Sequence, residues 1–568
     1  MELATGAEDA LRLAEAAIEA GNAEQGAALL IALAGGTMEV DQNRAAALAC
    51  ASLGNLFENQ LLSKVAARPW YLRAMRLIET DEPCVEQGWV AVAPLGCDVD
   101  DSAVLLRRAE LAIDRARQFG DLDLEVKGLA DAGLARVQLG DTAEGMAMID
   151  EAMALACGGG RNRDVLGKAI CSFYTACYLT VDLTRVEDWT TLFRRQGLVG
   201  PTPGSPLFLN SHCDSVRAML LSRVGRWSEA EELLLESQTS LDAVMPGAAW
   251  HPPIALAELR IMQGRFDEAE VLLIGKDDFM QALVPMARLH QHRGDFDLAR
   301  ATAGRGLALM GTDRLRAAAL LGIVVEANIG IGDTVAAAAA LDDLDDRIAS
   351  IDQPGLRSEA ARLRARVLNA EGEPSHAATA LRGALELLGG AELPLTRLSV
   401  HLDLARLLEP FDRSSARVDA RAAVALLGRL DVIIGASDVG LLQRLGGLTD
   451  TNVSHPCRVR SWRRPIGGGP WGAATARCDC ATHWDFAMSP SSSRTLAQNA
   501  MCSSWSTSSR ASPSGATGGR SATQAPHRIT TPGARTDNAW PNFAMRSRRP
   551  SPQRTTTTRH ASKPNSTP

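Results

Sequence analysis

Few residues in this 568-residue chain stand at spacings that could do chemistry. Gly158-Gly159-Gly160, followed by Arg161, Asn162 and Arg163 and then by Gly167-Lys168-Ala169, has the outline of a phosphate-cradling loop. Such a loop needs a second glycine to free its amides and a Ser or Thr hydroxyl for the metal, and Asn162 and Ala169 stand there instead. The motif fails twice, and a flexible connection between helices is expected. Neither a GxSxG elbow nor an HExxH zinc motif occurs. Cys171, Tyr174, Cys177, Tyr178, Asp182 and Glu187-Asp188-Trp189 gather two thiols, two of the three Tyr and a Trp, the ingredients of a small-ligand site or a thiol switch. The two Cys are six residues apart, share no helix face and would not bridge easily. Packing inside a helical unit is the better account, with Tyr174, Tyr178 and Trp189 kept as candidate effector-groove residues.

His251, His290 and His292 are scattered, as surface or groove histidines are. Cys478-Asp479-Cys480 with His483 resembles a metal clip but has no surrounding core to orient its ligands, so no metal is expected. No acid/base pair, nucleophile or metal set rises above background. The expectation is a non-catalytic protein without a cofactor.

The elements that hold these residues repeat. Gly225-Arg-Trp-Ser-Glu-Ala230 returns as Gly264-Arg-Phe-Asp-Glu-Ala269 and Gly294-Asp-Phe-Asp-Leu-Ala299, and more loosely as Gly332 to Ala337, Gly372 to Ala377 and Gly140 to Gly145. Val181 to Val186 is a degenerate copy. Successive markers lie 41, 44, 39, 30, 38 and 40 residues apart, the period of a helical hairpin. The glycine ends a first helix in a left-handed cap, and the small residue five positions on lets the second helix approach. One turn further comes an apolar residue (Ile149, Leu234, Leu273, Leu341, Leu381), with Ala303 the exception. Weaker hairpins are expected at Gly21–Leu30, Asp41–Leu77 and Asp98–Gly140, and further helices at Pro394–Leu408 and Ser414–Leu430. The fold class is therefore all-α, a tetratricopeptide-like (TPR-like) α-solenoid of roughly ten stacked hairpins over residues 1–447.

Composition divides the chain at the same place. Residues 451–568 hold 16 of the 59 Lys and Arg but only Asp479, Asp485 and Asp537 as acids, leaving +13 there and −21 in residues 1–450. The tail has one Leu, Leu496, no Glu and five of the ten Trp, too little apolar area to offset ordering, so 448–568 is expected to be disordered. Its composition is that of a GC-rich gene read out of frame: one base along, Cys478-Asp479-Cys480 becomes Arg-Leu. With G or C at free third positions, residues 477–490 then read roughly Val-Arg-Leu-Arg-Asp-Thr-Leu-Gly-Leu-Arg-His-Val-Ala-Val. A frameshift starting between Leu448 and Arg463 accounts for it. Acidic residues in place of a basic leader and no apolar stretch of about 20 residues argue for a cytoplasmic protein without a membrane span. Seven body cysteines without CxxC spacing fit a reducing compartment.

Residues 40–446 resemble the helical-repeat portion of large LuxR-type (actinobacterial) transcription regulators. The residues that carry the likeness are Pro83-Cys-Val-Glu-Gln-Gly-Trp89, Arg117-Gln-Phe-Gly-Asp-Leu-Asp-Leu-Glu125, Gly145-Met-Ala-Met-Ile-Asp-Glu-Ala-Met153 and Cys171 to Trp189. In that family a DNA-binding module follows the repeats. Here no recognition helix is legible after Leu448, and the shifted-frame Arg-Leu-Arg-Asp-Thr-Leu-Gly-Leu-Arg is similar to a C-terminal segment of some members. The resemblance implies a region that binds a protein, peptide or small effector in its concave groove, with DNA a partner by resemblance only. Two alternatives stand beside it: a free-standing protein–protein interaction scaffold, and nucleic-acid binding through the basic tail.

Overall fold

The computed structural model describes residues 10–14, 16–17, 23–34, 40–60, 63–79, 82–94, 101–158, 162–195, 207–244 and 250–446. The expectations for 448–568, including Cys478, Cys480 and His483, lie outside these residues, as does Gly160.

Helices follow one another as antiparallel neighbours. The first are α1 (Ala23–Ala34), α2 (Val40–Asn55), α3 (Lys64–Ile78), α4 (Val85–Ala91) and α5 (Ser102–Phe119), with a π-helical turn at Leu56–Gln60. Hairpins then pair α6 (Leu122–Leu139) with α7 (Thr142–Ala156), α8 (Arg163–Thr180) with α9 (Leu183–Arg195), and α10 (Leu207–Val224) with α11 (Trp227–Val244). Next come α12 (His251–Met262) with α13 (Phe266–Leu273), α14 (Leu283–Arg293) with α15 (Phe296–Leu309), and α16 (Arg314–Ile331) with α17 (Thr334–Ile348). The series closes with α18 (Pro354–Ala370) and α19 (Pro374–Leu388), α20 (Pro394–Leu408) and α21 (Arg413–Leu427), and the single α22 (Ala436–Arg444). Among the described residues there is only an isolated bridge, Arg226 to Asp431, and no strand.

The repeat signature has the geometry its residue types dictate. Gly140, Gly225, Gly264, Gly294, Gly332 and Gly372 hold φ between 73° and 99°, the left-handed region. The residue after each glycine donates its N–H to the carbonyl five residues back at 2.8–3.0 Å, a Schellman closure that satisfies an end-of-helix acceptor. In the degenerate copy Val181 keeps the same closure at φ 57°, and Asp182 N–H reaches Cys177 O at 2.9 Å. Ala230, Ala269, Ala299, Ala337 and Ala377 are fully buried at the hairpin contact. Where the signature has Gly145 instead, it faces Gly133. A Cβ on either would lie 2.6 Å from the other's carbonyl oxygen, so α6 and α7 meet backbone to backbone.

The hairpins wind tightly enough to touch the next turn. The first helices α6 and α16 are in contact, as are α10 and α20, each pair five hairpins apart. Polar contacts mark the seam. Thr312 Oγ1 donates to Asp101 Oδ1 at 2.9 Å, Arg314 Nη1 to Leu139 O at 3.4 Å, and Gln353 Nε2 to Leu179 O at 3.0 Å. Ser228 N–H donates to Asp431 Oδ2 at 2.8 Å, and Asp431 N–H to Gly225 O at 3.3 Å. At Leu139 and Leu179 the end of a first helix abuts the start of the first helix five hairpins on.

This closure explains α6. Covered by α5, α7, α8 and α16, it buries 13 of its 18 residues and has no polar face left. Lys127 and Asp131, one turn apart, are both enclosed, and they pair with each other. Ser172 Oγ of α8 donates to Asp131 at 2.8 Å, which satisfies a second carboxylate lone pair.

Candidate functional site

Polar side chains link the first helix of one hairpin to that of the next along the stack. Ser172 joins α8 to α6. Arg223 of α10 donates to the carbonyl of Tyr178 at 3.3 Å, with its guanidinium 5.4 Å from the centre of that ring. The His212 and His251 rings meet between α10 and α12, nitrogen to nitrogen at 2.9 Å. Arg288 of α14 donates to Glu258 of α12 at 3.0 Å, Gln291 to Glu326 of α16, and Arg366 of α18 to that same Glu326. Arg362 of α18 donates to Asp403 of α20 at 2.9 Å, and Arg406 pairs with Asp438 of α22. The ties from Ser172 to Asp438 span every pair of successive first helices from α6 to α22.

Burial makes several of these ties more than surface pairs. Arg362 and Asp403 are 13% and 12% exposed. Burial alone would raise the Asp403 carboxyl, but Arg366, Arg362 and Arg406 outweigh it and hold the group ionised, below the usual carboxylate range. Burial works against the Arg362 charge too, and Glu359, Asp403 and Glu326 together overcome it.

Tyr178 of α8 lies against Arg223 of the next first helix. Burial, reinforced by the charge of Glu258, pushes its hydroxyl up to about 12, against the pull of Arg223, Arg288 and Arg316. Those four residues belong to α10, α12, α14 and α16. Charges on four successive first helices therefore act on this phenol, and of them Arg223 lies against the Tyr178 ring and carbonyl. The result is a neutral hydrogen-bonding group in the field of three guanidiniums and one carboxylate. It offers a fixed field for a polar ligand, and nothing in it is arranged as a nucleophile with its base.

The three candidates singled out by the sequence are not brought together. Tyr178 is on the inner surface. Tyr174 is buried against Phe173, and its hydroxyl lies 3.0 Å from Thr190 Oγ1 inside the hairpin. Trp189 is on the second helix α9, stacked on Phe193, with its indole N–H donating to Asp150 at 2.9 Å. Both make these contacts within the repeat, in the same apolar cluster as Tyr178. Gly167 and Lys168 lie within α8, not in a loop. Cys171 and Cys177 are both buried, and burial pushes Cys177 well above the usual range, away from thiolate chemistry. His251 is a buried tie, and His292 stacks on Phe266. Single-residue reading missed Glu258, Arg288, Arg316, Glu326, Arg362, Arg366 and Asp403. The signal for most was available in pairs, as opposite charges 30 to 41 residues apart, one repeat length.

Among the described residues no group of three or more His, Cys, Asp or Glu is placed to hold a metal, and no helix is long and apolar enough to cross a membrane.

The fold and inner surface define an all-α, TPR-like solenoid. Solved structures similar to it include the APC/C hetero-tetramer Cut9–Hcn1, at 13% identity over 77% of this chain and 90% of that one, with a TM-score of 0.43. Yeast Tom70 is similar at 12% identity over 74% and 90%, with a TM-score of 0.32. A tetratricopeptide repeat protein from Parabacteroides merdae is similar at 14% over 57% and 98%, with a TM-score of 0.27. No protein-family model and no curated protein sequence matches the chain.

Proposed function

We propose that the chain is a non-catalytic binding scaffold, the effector-sensing helical-repeat region of a LuxR-type transcription regulator, which receives a protein, peptide or small effector on its inner surface. The observation that carries the binding reading is the line of charged side chains on successive first helices, where Arg223 lies against Tyr178 and Arg288 donates to Glu258, and whose field acts on the Tyr178 phenol. Charges tied from hairpin to hairpin are pre-oriented, so a ligand that exchanges partners with them need not pay the full entropy of ordering long side chains. The regulator reading rests on the resemblance carried by Pro83–Trp89, Arg117–Glu125, Gly145–Met153 and Cys171–Trp189. Binding at one hairpin would be felt along the ladder, because each tie shares a residue or a helix with the next.

The test is in the host. Cross-linking partners to the wild-type chain and to an Arg288→Glu/Tyr178→Phe variant should give a partner lost only from the variant, with helix content unchanged by circular dichroism. Transcript profiles of the variant and of a deletion strain should then change in the same genes. An unchanged partner set refutes the inner-surface reading, and unchanged transcripts in the deletion strain refute the regulator reading in favour of a free-standing scaffold.

A further inference from the structure

A second surface lies at the front of the stack. Helix α3 turns Val65, Arg68, Pro69, Leu72, Met75 and Arg76 to one side, the opposite side from its buried Ala67, Ala74 and Ile78. Val65 is 87% exposed, Leu72 49% and Met75 48%, a run of large apolar side chains rather than a single one. The helix carries Lys64, Arg68, Arg73 and Arg76 and no acid until Glu79 just past its end, although residues 1–450 carry −21. Beside this face Ile31, Ala34, Pro69, Trp70, Arg73 and Arg76 line an open cleft of about 370 Å³, which among the described residues has two guanidiniums and no carboxylate. Arg73 is fixed there by donating to Ala34 O at 2.9 and 3.2 Å.

We propose that this face of α3 docks an acidic amphipathic helix of a partner protein, with one of its aliphatic side chains in the cleft. Apolar residues spaced along a helix ridge with arginines between them match a helix that alternates aliphatic anchors and carboxylates. The charge of the ridge selects the sign of the partner, and the cleft selects a discrete side chain. An anionic bilayer is a poorer fit, because it has no single side chain to seat in the cleft. This surface is separate from the inner face around Tyr178, so either assignment can fail without the other.

The experiment uses the full chain and a fluorescein-labelled 18-residue helical peptide with Leu at positions i, i+3, i+4 and i+7 of its apolar face and Glu elsewhere. Anisotropy should report saturable binding to the wild type that weakens with salt and falls at least tenfold in Arg68→Glu/Arg76→Glu. The same peptide with Lys for Glu should bind that double variant and not the wild type. Met75→Ala, which leaves the charges in place, should also weaken the acidic peptide. Absence of saturable binding, or affinities within twofold across the variants, overturns the proposal. So does tighter binding to phosphatidylserine-containing vesicles than to the peptide, or self-association through this face in sedimentation.

Discussion

Alanine at Gly140 and alanine at Gly332 separate the cost of the helix cap from the cost of closing the turn. Both glycines are left-handed, at φ 99° and 89°. An L-residue there costs about 1–2 kcal/mol, and the smaller conformational freedom of unfolded alanine returns about 0.4–1 kcal/mol. At Gly332 a Cβ would meet nothing within 4 Å, so Gly332→Ala should lose only the difference, about 0.5–1 kcal/mol. At Gly140 the added carbon would lie 2.9 Å from Cγ1 of Ile351, which comes from the next turn and is fully buried. Overpacking of this kind adds about 1–3 kcal/mol, for a total of about 2–4 kcal/mol. Urea denaturation gives the two losses. Hydrogen exchange then localises the second, which should appear as faster exchange around Ile351 in Gly140→Ala alone. Losses equal to within about 0.5 kcal/mol, with exchange around Ile351 unchanged, would refute the closed five-hairpin turn.

Three further outcomes follow from single residues. Val181→Gly exchanges β-branched strain at φ 57° for glycine's entropy and should raise stability by about 0.5 kcal/mol; a loss above about 1 kcal/mol in a thermal melt would mean that Val181 packing outweighs the strain. Lys127→Met strands the enclosed Asp131 carboxylate and should cost about 3–5 kcal/mol, whereas Lys127→Met/Asp131→Leu should recover most of that loss; a double variant no better than the single one would show that the pair is not the issue. Burial raises Asp214 to about 6 in the folded chain, above its unfolded value of about 4, so its protonated form favours folding below that window and the contribution is lost as pH rises from about 4 to 6. Asp214→Asn should therefore flatten the pH dependence of stability across that range, and an unaltered slope in melts at pH 4, 5, 6 and 7 would contradict it.

The hairpins were legible because local rules make them. A glycine that must be left-handed and an alanine that must be small recur in register, and the structure places each accordingly. Even Val181, a poor residue for the position, keeps the closure. The turn-to-turn seam was not legible, because its partners lie 174 to 211 residues apart and include backbone carbonyls, which any residue supplies. The inner ties fell between the two. Arg366 or Asp403 alone looks like a solvated helix face, and only pairing at the repeat length reveals them. Tyr174 and Trp189 show a further limit of single residues. An aromatic side chain with one polar atom suits a groove or a core equally, and here Thr190 and Asp150 of neighbouring helices satisfy that atom, which no spacing announces.

Five hairpins to the turn also constrain how such a gene can change. Losing or duplicating one internal hairpin would move every downstream unit one place around the coil, so Gly140 would face a segment other than Ile351, and Asp431 would no longer meet Ser228. Loops can lengthen without this penalty, which fits marker spacings that range from 30 to 44 residues while the count of helices is kept. Units added at either extremity disturb no existing partner. Growth by copying is therefore open only at the ends of the coil, and viable internal rearrangements should come in multiples of five.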